Sequence, residues 1–348
     1  MTTALTAVLF LLSLFGMAEQ GHRGTPPPLD LSGGVLGVWM HDDLGCTILF
    51  HHPHSAFPDS ELSRTGVRKT VIVRRKVKGK VVRRPEIRVA IPPAAFRDDR
   101  VLVFVPDGFC ATQPVRLVVF FHGWKQRITT PDPVTEDLHL REIVASAPGN
   151  PILIVPQGPV DAASSRFGGL ESVSGLTEFL QDLDGLLPPL PMDSPPSCFV
   201  AEAGTSLLAG HSGGGNPIDL ILMDGADRAL GRGGQASVRE LWVWDRIDTV
   251  VLLDATYDGL DVLGDWWRGR SGRILKSYFL AGTATESVSR GLADLARACP
   301  DRCRDLDIEG IRLLDLPRER QATAHHDLPA MRMGKALGET PGHTALRP

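Results

Sequence analysis

The sequence predicts an α/β fold: a mostly parallel central sheet covered by helices on both faces, with extra strands ahead of it. Three observations predict it. From Val101 onward, short apolar runs alternate with stretches of helical periodicity, the pattern of strands buried on both faces. The 348 residues include 36 Gly and 27 Pro, which suits many short loops at strand ends rather than long helices. The composition, 43% apolar and 22% charged with a net charge of −4, is that of a globular chain large enough for one big core or two smaller ones. The same balance excludes a multi-pass membrane protein, a collagen-like or low-complexity chain, and a globally basic nucleic-acid binder.

Residues Met1 to Ala18 form an apolar stretch closing in Gly16-Met17-Ala18, small residues of the kind a signal peptidase reads. The stretch is short for a bilayer span, so the expectation is a signal peptide over 1–18 and an exported protein, periplasmic or secreted, with no stable membrane insertion. An uncleaved anchor is the alternative, because no Lys or Arg precedes the apolar run. Residues 19–348 then form one domain, with 19–100 as an N-terminal strand extension.

In that extension, strand-like runs cover Val35 to Trp39, Cys46 to Phe50, Lys69 to Val77, Lys80 to Arg84 and Glu86 to Ile91. Lys78-Gly79 reads as a hairpin turn between arms rich in Arg and Lys. Two readings of this basic hairpin (68–88) stand: a patch for an anionic polymer or envelope surface, and a sheet edge guarded by cations. Strands are then expected at Val101 to Val105, Arg116 to Phe121, Pro151 to Val155, Ser206 to Ala209, Thr249 to Leu253, Ile274 to Ala281 and Ile311 to Leu316. Helices fit between them, with Leu176, Phe179, Leu180 and Leu183 at helical spacing, and again Val288, Leu292 and Leu295. The five cysteines (Cys46, Cys110, Cys198, Cys299, Cys303) show no C-x-x-C spacing and leave at least one unpaired.

The chemistry centres on Gly210-His211-Ser212-Gly213-Gly214, a G-x-S-x-G string between the apolar run Ser206 to Ala209 and a helix opening at Asn216-Pro217. Strand, sharp turn and helix stand in the order that presents a serine in a strained conformation, where glycines avoid collisions with neighbouring backbone. Upstream, Leu117 to Phe121 ends in His122-Gly123-Trp124. A glycine just past a core strand lets backbone N–H groups approach a developing oxyanion, so Gly123 or Trp124 joins Gly213 as a candidate donor.

These residues resemble the α/β-hydrolase superfamily, in its serine-esterase-like branch, over roughly residues 100 to 340. The resemblance implies an α/β-hydrolase three-layer sandwich, a nucleophilic Ser212 and a triad in the order serine, acid, histidine. The histidine is expected on the loop after the last strand, where Ala324-His325-His326-Asp327 offers His325 and His326; His343 lies in a Gly/Pro-rich tail. The acid has two candidates. Asp254 ends the apolar strand Thr249 to Leu253, and Glu286 follows the next strand; Asp254 is preferred for its tight attachment to a strand.

The implied activity is hydrolysis of a carboxylic ester, or an amide, through an acyl-enzyme, on a small-molecule or polymer substrate. It calls for no cofactor and no nucleic-acid partner, and leaves oligomeric state open. Two alternatives belong to other classes. His41, Asp42, Asp43, Cys46, His51, His52 and His54 crowd metal-capable side chains into one stretch, but without H-E-x-x-H or C-x-x-C regularity, so no metal ligand set is assigned. An inactive ligand-binding protein on the same fold is the other.

Overall fold

A computed structural model describes residues 28–31, 35–57, 62–77, 80–110, 113–128, 138–159, 166–186, 203–232, 234–298, 306–311, 332–335 and 337–338. The expected signal peptide lies outside them, as do His325, His326, His343, Cys198, Cys299, Cys303 and the Lys78-Gly79 turn.

Among the described residues twelve strands are formed: β1 (Pro28–Leu31), β2 (Val35–Asp42), β3 (Gly45–His51), β4 (Val67–Val77), β5 (Lys80–Ile91), β6 (Arg100–Pro106), β7 (Val115–Phe121), β8 (Pro151–Pro156), β9 (Ala203–His211), β10 (Ile247–Leu253), β11 (Ile274–Leu280) and β12 (Leu306–Ile311). Ten of them make one sheet in the order β1-β2-β3-β6-β8-β7-β9-β10-β11-β12. From β8 to β12 every neighbouring pair is parallel, while β1, β2, β3 and β6 add on antiparallel at one side. The strand order from β3 onward, with β8 inserted between β6 and β7, is that of the α/β-hydrolase fold, and β1 and β2 are the extra N-terminal strands.

The helices are α1 (Leu140–Ser146), α2 (Val173–Leu186), α3 (Gly215–Ala229), α4 (Val238–Arg246), α5 (Leu260–Gly269) and α6 (Thr285–Ala298). They sort onto the two faces of the sheet. One buried cluster joins Val119, Leu208, Val250 and Leu252 to α2, α3, α4, α5 and α6 through Phe179, Ile221, Trp244, Trp267 and Leu292. The other joins Val118, Leu207, Val251 and Leu253 to Leu140 and Val144 of α1 and to Met333 and Leu337. Alternate residues of each central strand face opposite layers, so both must be apolar. β7 is buried along its whole length, even at Arg116, whose guanidinium reaches the Thr249 hydroxyl at 3.2 Å and the Leu337 carbonyl at 3.3 Å.

The basic hairpin forms a two-stranded sheet of its own, β4 with β5, so both of its arms are sheet edges; among the described residues the edges of the large sheet are β1 and β12. Two expectations are corrected. β5 runs unbroken through Pro85, which a two-stranded ribbon tolerates because each strand has a free side. Among the described residues the last strand spans Leu306–Ile311 and so begins before the expected run, of which residues 312–316 lie outside the described residues. Its Leu-Asp-Ile-Glu-Gly-Ile alternation suits a sheet edge with one solvated face, whereas a continuous apolar run was the expected signal.

Candidate active site

The parallel ladders bring three turns to one edge of the sheet. Phe121 of β7 pairs with Gly210 of β9, and His211 of β9 pairs with Leu253 of β10. The next residues along these three strands are His122-Gly123, Ser212 and Asp254. Ligand and catalytic groups of open α/β sheets gather at this carboxyl-terminal edge.

Ser212 has φ 52° and Asp254 has φ 49°, both in the left-handed region that non-glycine residues seldom occupy. Each such conformation costs about 1–3 kcal/mol and is held only where the surroundings dictate it. At Ser212 the surroundings are a 3₁₀ turn over Ser212–Gly214 running into α3, with backbone on every side. A Cβ at Gly214 would stand 1.9 Å from the Phe121 carbonyl oxygen, so only glycine lets the turn seat against β7. Ser212 is half-buried, and its hydroxyl hydrogen-bonds to no described residue.

Gly123 faces this serine closely: a Cβ there would lie 2.9 Å from the Ser212 Cβ. The loop carrying it is fixed by side chains. His122 is buried; its Nε2 accepts from the Gly158 N–H at 2.8 Å and lies 2.9 Å from Gln157 Nε2. With Nε2 an acceptor, Nδ1 carries the proton and donates to the Gly123 carbonyl at 2.8 Å. Gln157 also accepts from the Ile128 N–H, and Gln126 accepts from the Gly123 N–H at 2.7 Å. The Gly123 amide is therefore engaged within its own loop, whereas the Trp124 amide has no partner among the described residues. Gln126 and Gln157 escaped the sequence reading because an amide beside a turn carries no pattern until the strands are assembled.

Burial pushes the His122 pKa down to about 4, and burial does the same for His52. Both folded values lie below the ordinary histidine value, so an unfolded chain takes up these protons first as pH falls. The stability they contribute is full above about pH 6.5 and is lost as pH falls toward 4. Urea midpoints should accordingly fall between pH 7 and 4.5; a midpoint constant over that range would contradict neutral imidazoles at both positions.

The two acid candidates occupy different environments. Asp254 is 2% exposed, and its Oδ1 accepts from the Thr285 hydroxyl and, at longer range, from the Leu280 N–H at 3.4 Å, with the Thr283 hydroxyl 3.1 Å away. Its own N–H donates to the Tyr278 carbonyl at 2.7 Å, continuing the β10–β11 ladder. Below it, the hydroxyls of Thr256, Ser277 and Ser289 form a buried triangle tying this turn to β11 and α6. Glu286, by contrast, sits in the first turn of α6, accepts from the Gly282 N–H at 2.7 Å and pairs with Arg290 at 2.6 Å. The Gly282 N–H, helped by Arg290, holds its carboxyl below the usual range.

The histidine stretch is bracketed by described residues. β12 ends at Ile311 on the same edge as Ser212 and Asp254, because β10, β11 and β12 are parallel. Beyond the stretch, Lys335 pairs with Asp307 at 2.8 Å and Arg332 pairs with Glu309, returning the chain onto β12; Asp307 also accepts from the Tyr278 hydroxyl at 2.8 Å.

Trp124 and Tyr257 are half exposed on turns at this edge, while Trp266 and Trp267 are buried in the helical layer and do not line it. The histidines near the N-terminus disperse to separate partners. His41 pairs with Asp107 at 3.0 Å, His51 with Asp99, and His54 with Asp182 at 3.3 Å, while the buried His52 packs on the Phe179 ring at 4.9 Å. Among the described residues no three His, Cys, Asp or Glu side chains are grouped to hold a metal ion. Burial pushes the Cys46 thiol up to about 11.

No protein-family model and no curated protein sequence matches the chain. Solved structures similar to it include a ferulic acid esterase, at 13% identity and TM-score 0.37, covering 78% of this chain and 99% of that one. The feruloyl esterase module from Clostridium thermocellum complexed with sinapinate is similar at 10% identity and TM-score 0.40, covering 80% and 89%. Esterase B from Lactobacillus rhamnosis is similar at 12% identity and TM-score 0.35, covering 69% and 81%.

Proposed function

We propose that this protein is a serine hydrolase that cleaves a carboxylic ester, or an amide, through an acyl-enzyme. The observation that carries the reading is the left-handed Ser212 on a strand–turn–helix, set between the Gly123 loop and the buried Asp254 at the ends of adjacent strands. Ser212 Oγ attacks the acyl carbon while His325 or His326 takes its proton. The tetrahedral oxyanion is held by the N–H groups of Gly213 and Trp124, since Gln126 occupies that of Gly123. Collapse breaks the bond to the leaving oxygen, which receives the proton from the imidazolium. Water then repeats the sequence on the acyl-enzyme, releasing the acid and restoring Ser212. Asp254 holds the imidazole tautomer and stabilises its charge. The test of this reading is incubation with a fluorophosphonate and with p-nitrophenyl acetate: the adduct should map to the peptide containing Ser212, and ester turnover should stop with it.

The reading includes export of a single-domain protein. N-terminal sequencing of the protein recovered from its native cells should begin at Glu19, outside the cytoplasm; an intact Met1 in a soluble cytoplasmic fraction would contradict it. Among the described residues, no helix is long and apolar enough to cross a membrane.

A further inference from the structure

The loop after β7, His122 to Ile128, contains a strained residue outside any helix or strand. Lys125 has φ 66°, a left-handed conformation that a lysine keeps only where the surroundings dictate it. Side chains supply those surroundings. The buried Gln157 accepts from the Ile128 N–H at 2.6 Å and donates to the Gln126 carbonyl at 3.2 Å, while Gln126 accepts from the Gly123 N–H at 2.7 Å. Among the described residues, only His122 grips the carbonyl of Gly123, and with it the peptide that carries the Trp124 N–H.

The tautomer of His122 is settled twice over. A backbone N–H can only donate, so the Gly158 N–H at 2.8 Å makes Nε2 an acceptor. A carbonyl can only accept, so the Gly123 oxygen at 2.8 Å needs the proton on Nδ1. One neutral tautomer meets both demands; an imidazolium would set Nε2–H against the Gly158 N–H, and the other tautomer would break both bonds. Burial, which pushes the pKa down to about 4, keeps the ring in that state at neutral pH. The ring is also boxed in. Phe167 packs on it edgewise with centroids 5.5 Å apart, and a Cβ at Gly158 would stand 2.3 Å from the Phe167 ring, so backbone and aromatic ring close together there.

A trans peptide points its carbonyl and its N–H in opposite directions. With the Gly123 oxygen drawn to the buried imidazole, the Trp124 N–H is turned away from it, and no described residue accepts that N–H. Gly123 itself lies against the nucleophile, where a Cβ would stand 2.9 Å from the Ser212 Cβ. We propose that His122 is the positioning residue of the oxyanion donor: its Nδ1–H holds the Gly123 carbonyl and, through the planar peptide, presents the Trp124 N–H to the oxyanion formed at Ser212. The proposal rests on the serine-hydrolase reading and adds to it a residue that touches no substrate.

Two substitutions separate positioning from space filling, because an Asn amide reproduces the place of Nδ1 and a Gln amide that of Nε2. His122→Asn can still donate to the Gly123 carbonyl but leaves the Gly158 N–H unmet. His122→Gln, nearer to histidine in volume, can still accept from Gly158 but releases Gly123. With p-nitrophenyl acetate, His122→Gln should lower kcat/KM about a hundredfold or more, the scale of a lost or misplaced oxyanion donor, and His122→Asn by less than about tenfold. Inhibition by a trifluoromethyl ketone should weaken in the same proportion: Ser212 Oγ adds to its carbonyl carbon, the proton passes to the catalytic imidazole, and the ketone oxygen becomes the anion that the donors hold. Urea midpoints check that both variants fold. A ring that merely filled space would favour His122→Gln, so equal or reversed losses would overturn the proposal. In the unmodified protein, NMR of isotope-labelled histidine should show an imidazole that stays neutral with its proton on Nδ1 between about pH 8 and 5.5; finding no such imidazole would overturn the proposal without any variant having to fold. An unmodified protein that neither turns over p-nitrophenyl acetate nor binds the ketone would instead overturn the serine-hydrolase reading itself, a result distinct from an active protein with the reversed ranking.

Discussion

Replacing Ser212 with Ala should lower kcat for p-nitrophenyl acetate by about five powers of ten or more and abolish fluorophosphonate labelling, with the fold retained. The size follows from the role. Without Oγ no acyl-enzyme forms, and any residual rate comes from binding and the oxyanion donors alone. The fold should survive because the left-handed turn is imposed by Gly214 against the Phe121 carbonyl and by entry into α3, not by the Ser212 hydroxyl. Circular dichroism and the urea midpoint check the fold, and the mass of the intact protein after labelling checks the nucleophile. Labelling that persists in the Ala variant would place the reactive group elsewhere and remove the proposed mechanism.

The second large effect separates the two carboxylates. Asp254→Asn should reduce kcat by about three to four powers of ten, because an amide keeps the shape but neither holds the productive tautomer nor stabilises an imidazolium. Glu286→Gln should stay within about tenfold of the parent, since its carboxyl accepts from the Gly282 N–H and pairs with Arg290, away from the turn that carries Asp254. Ser212 and Asp254 extend neighbouring strands from a directly paired position, so both stand on one edge of the sheet. The environment of Asp254 adds a finer expectation. The hydroxyl of Thr285 donates to Oδ1, leaving the carboxylate oriented before any histidine arrives. The reverse ranking of the two variants would move the acid to the turn after Leu280.

The local signals that survived into three dimensions are those that depend only on neighbours in the chain. Continuous apolar runs such as Leu117 to Phe121 and Thr249 to Leu253 mark strands because a sheet covered on both faces needs apolar side chains at every position. Gly210-His211-Ser212-Gly213-Gly214 marks a strand–turn–helix because its glycines relieve collisions that arise within a few residues. Residues 306–310 of β12 escaped the reading because an edge strand alternates, and Asp307 and Glu309 look like loop residues until Lys335 and Arg332 fold back onto them.

What the sequence by itself determined, then, is the α/β class, the glycine-rich turn that carries Ser212 and a short list of candidate acids and bases. Only the tertiary structure decided which residues share an edge. Strand order is set by long-range pairing, so the adjacency of β7, β9 and β10, and hence of Gly123, Ser212 and Asp254, is invisible along the chain. The same holds for the support of the Gly123 loop by Gln157 and for the dispersal of the N-terminal histidines to separate carboxylates. Hydrogen bonds between residues tens of positions apart leave no periodic trace, because a partner is chosen by the geometry of the assembled sheet and not by spacing in the chain.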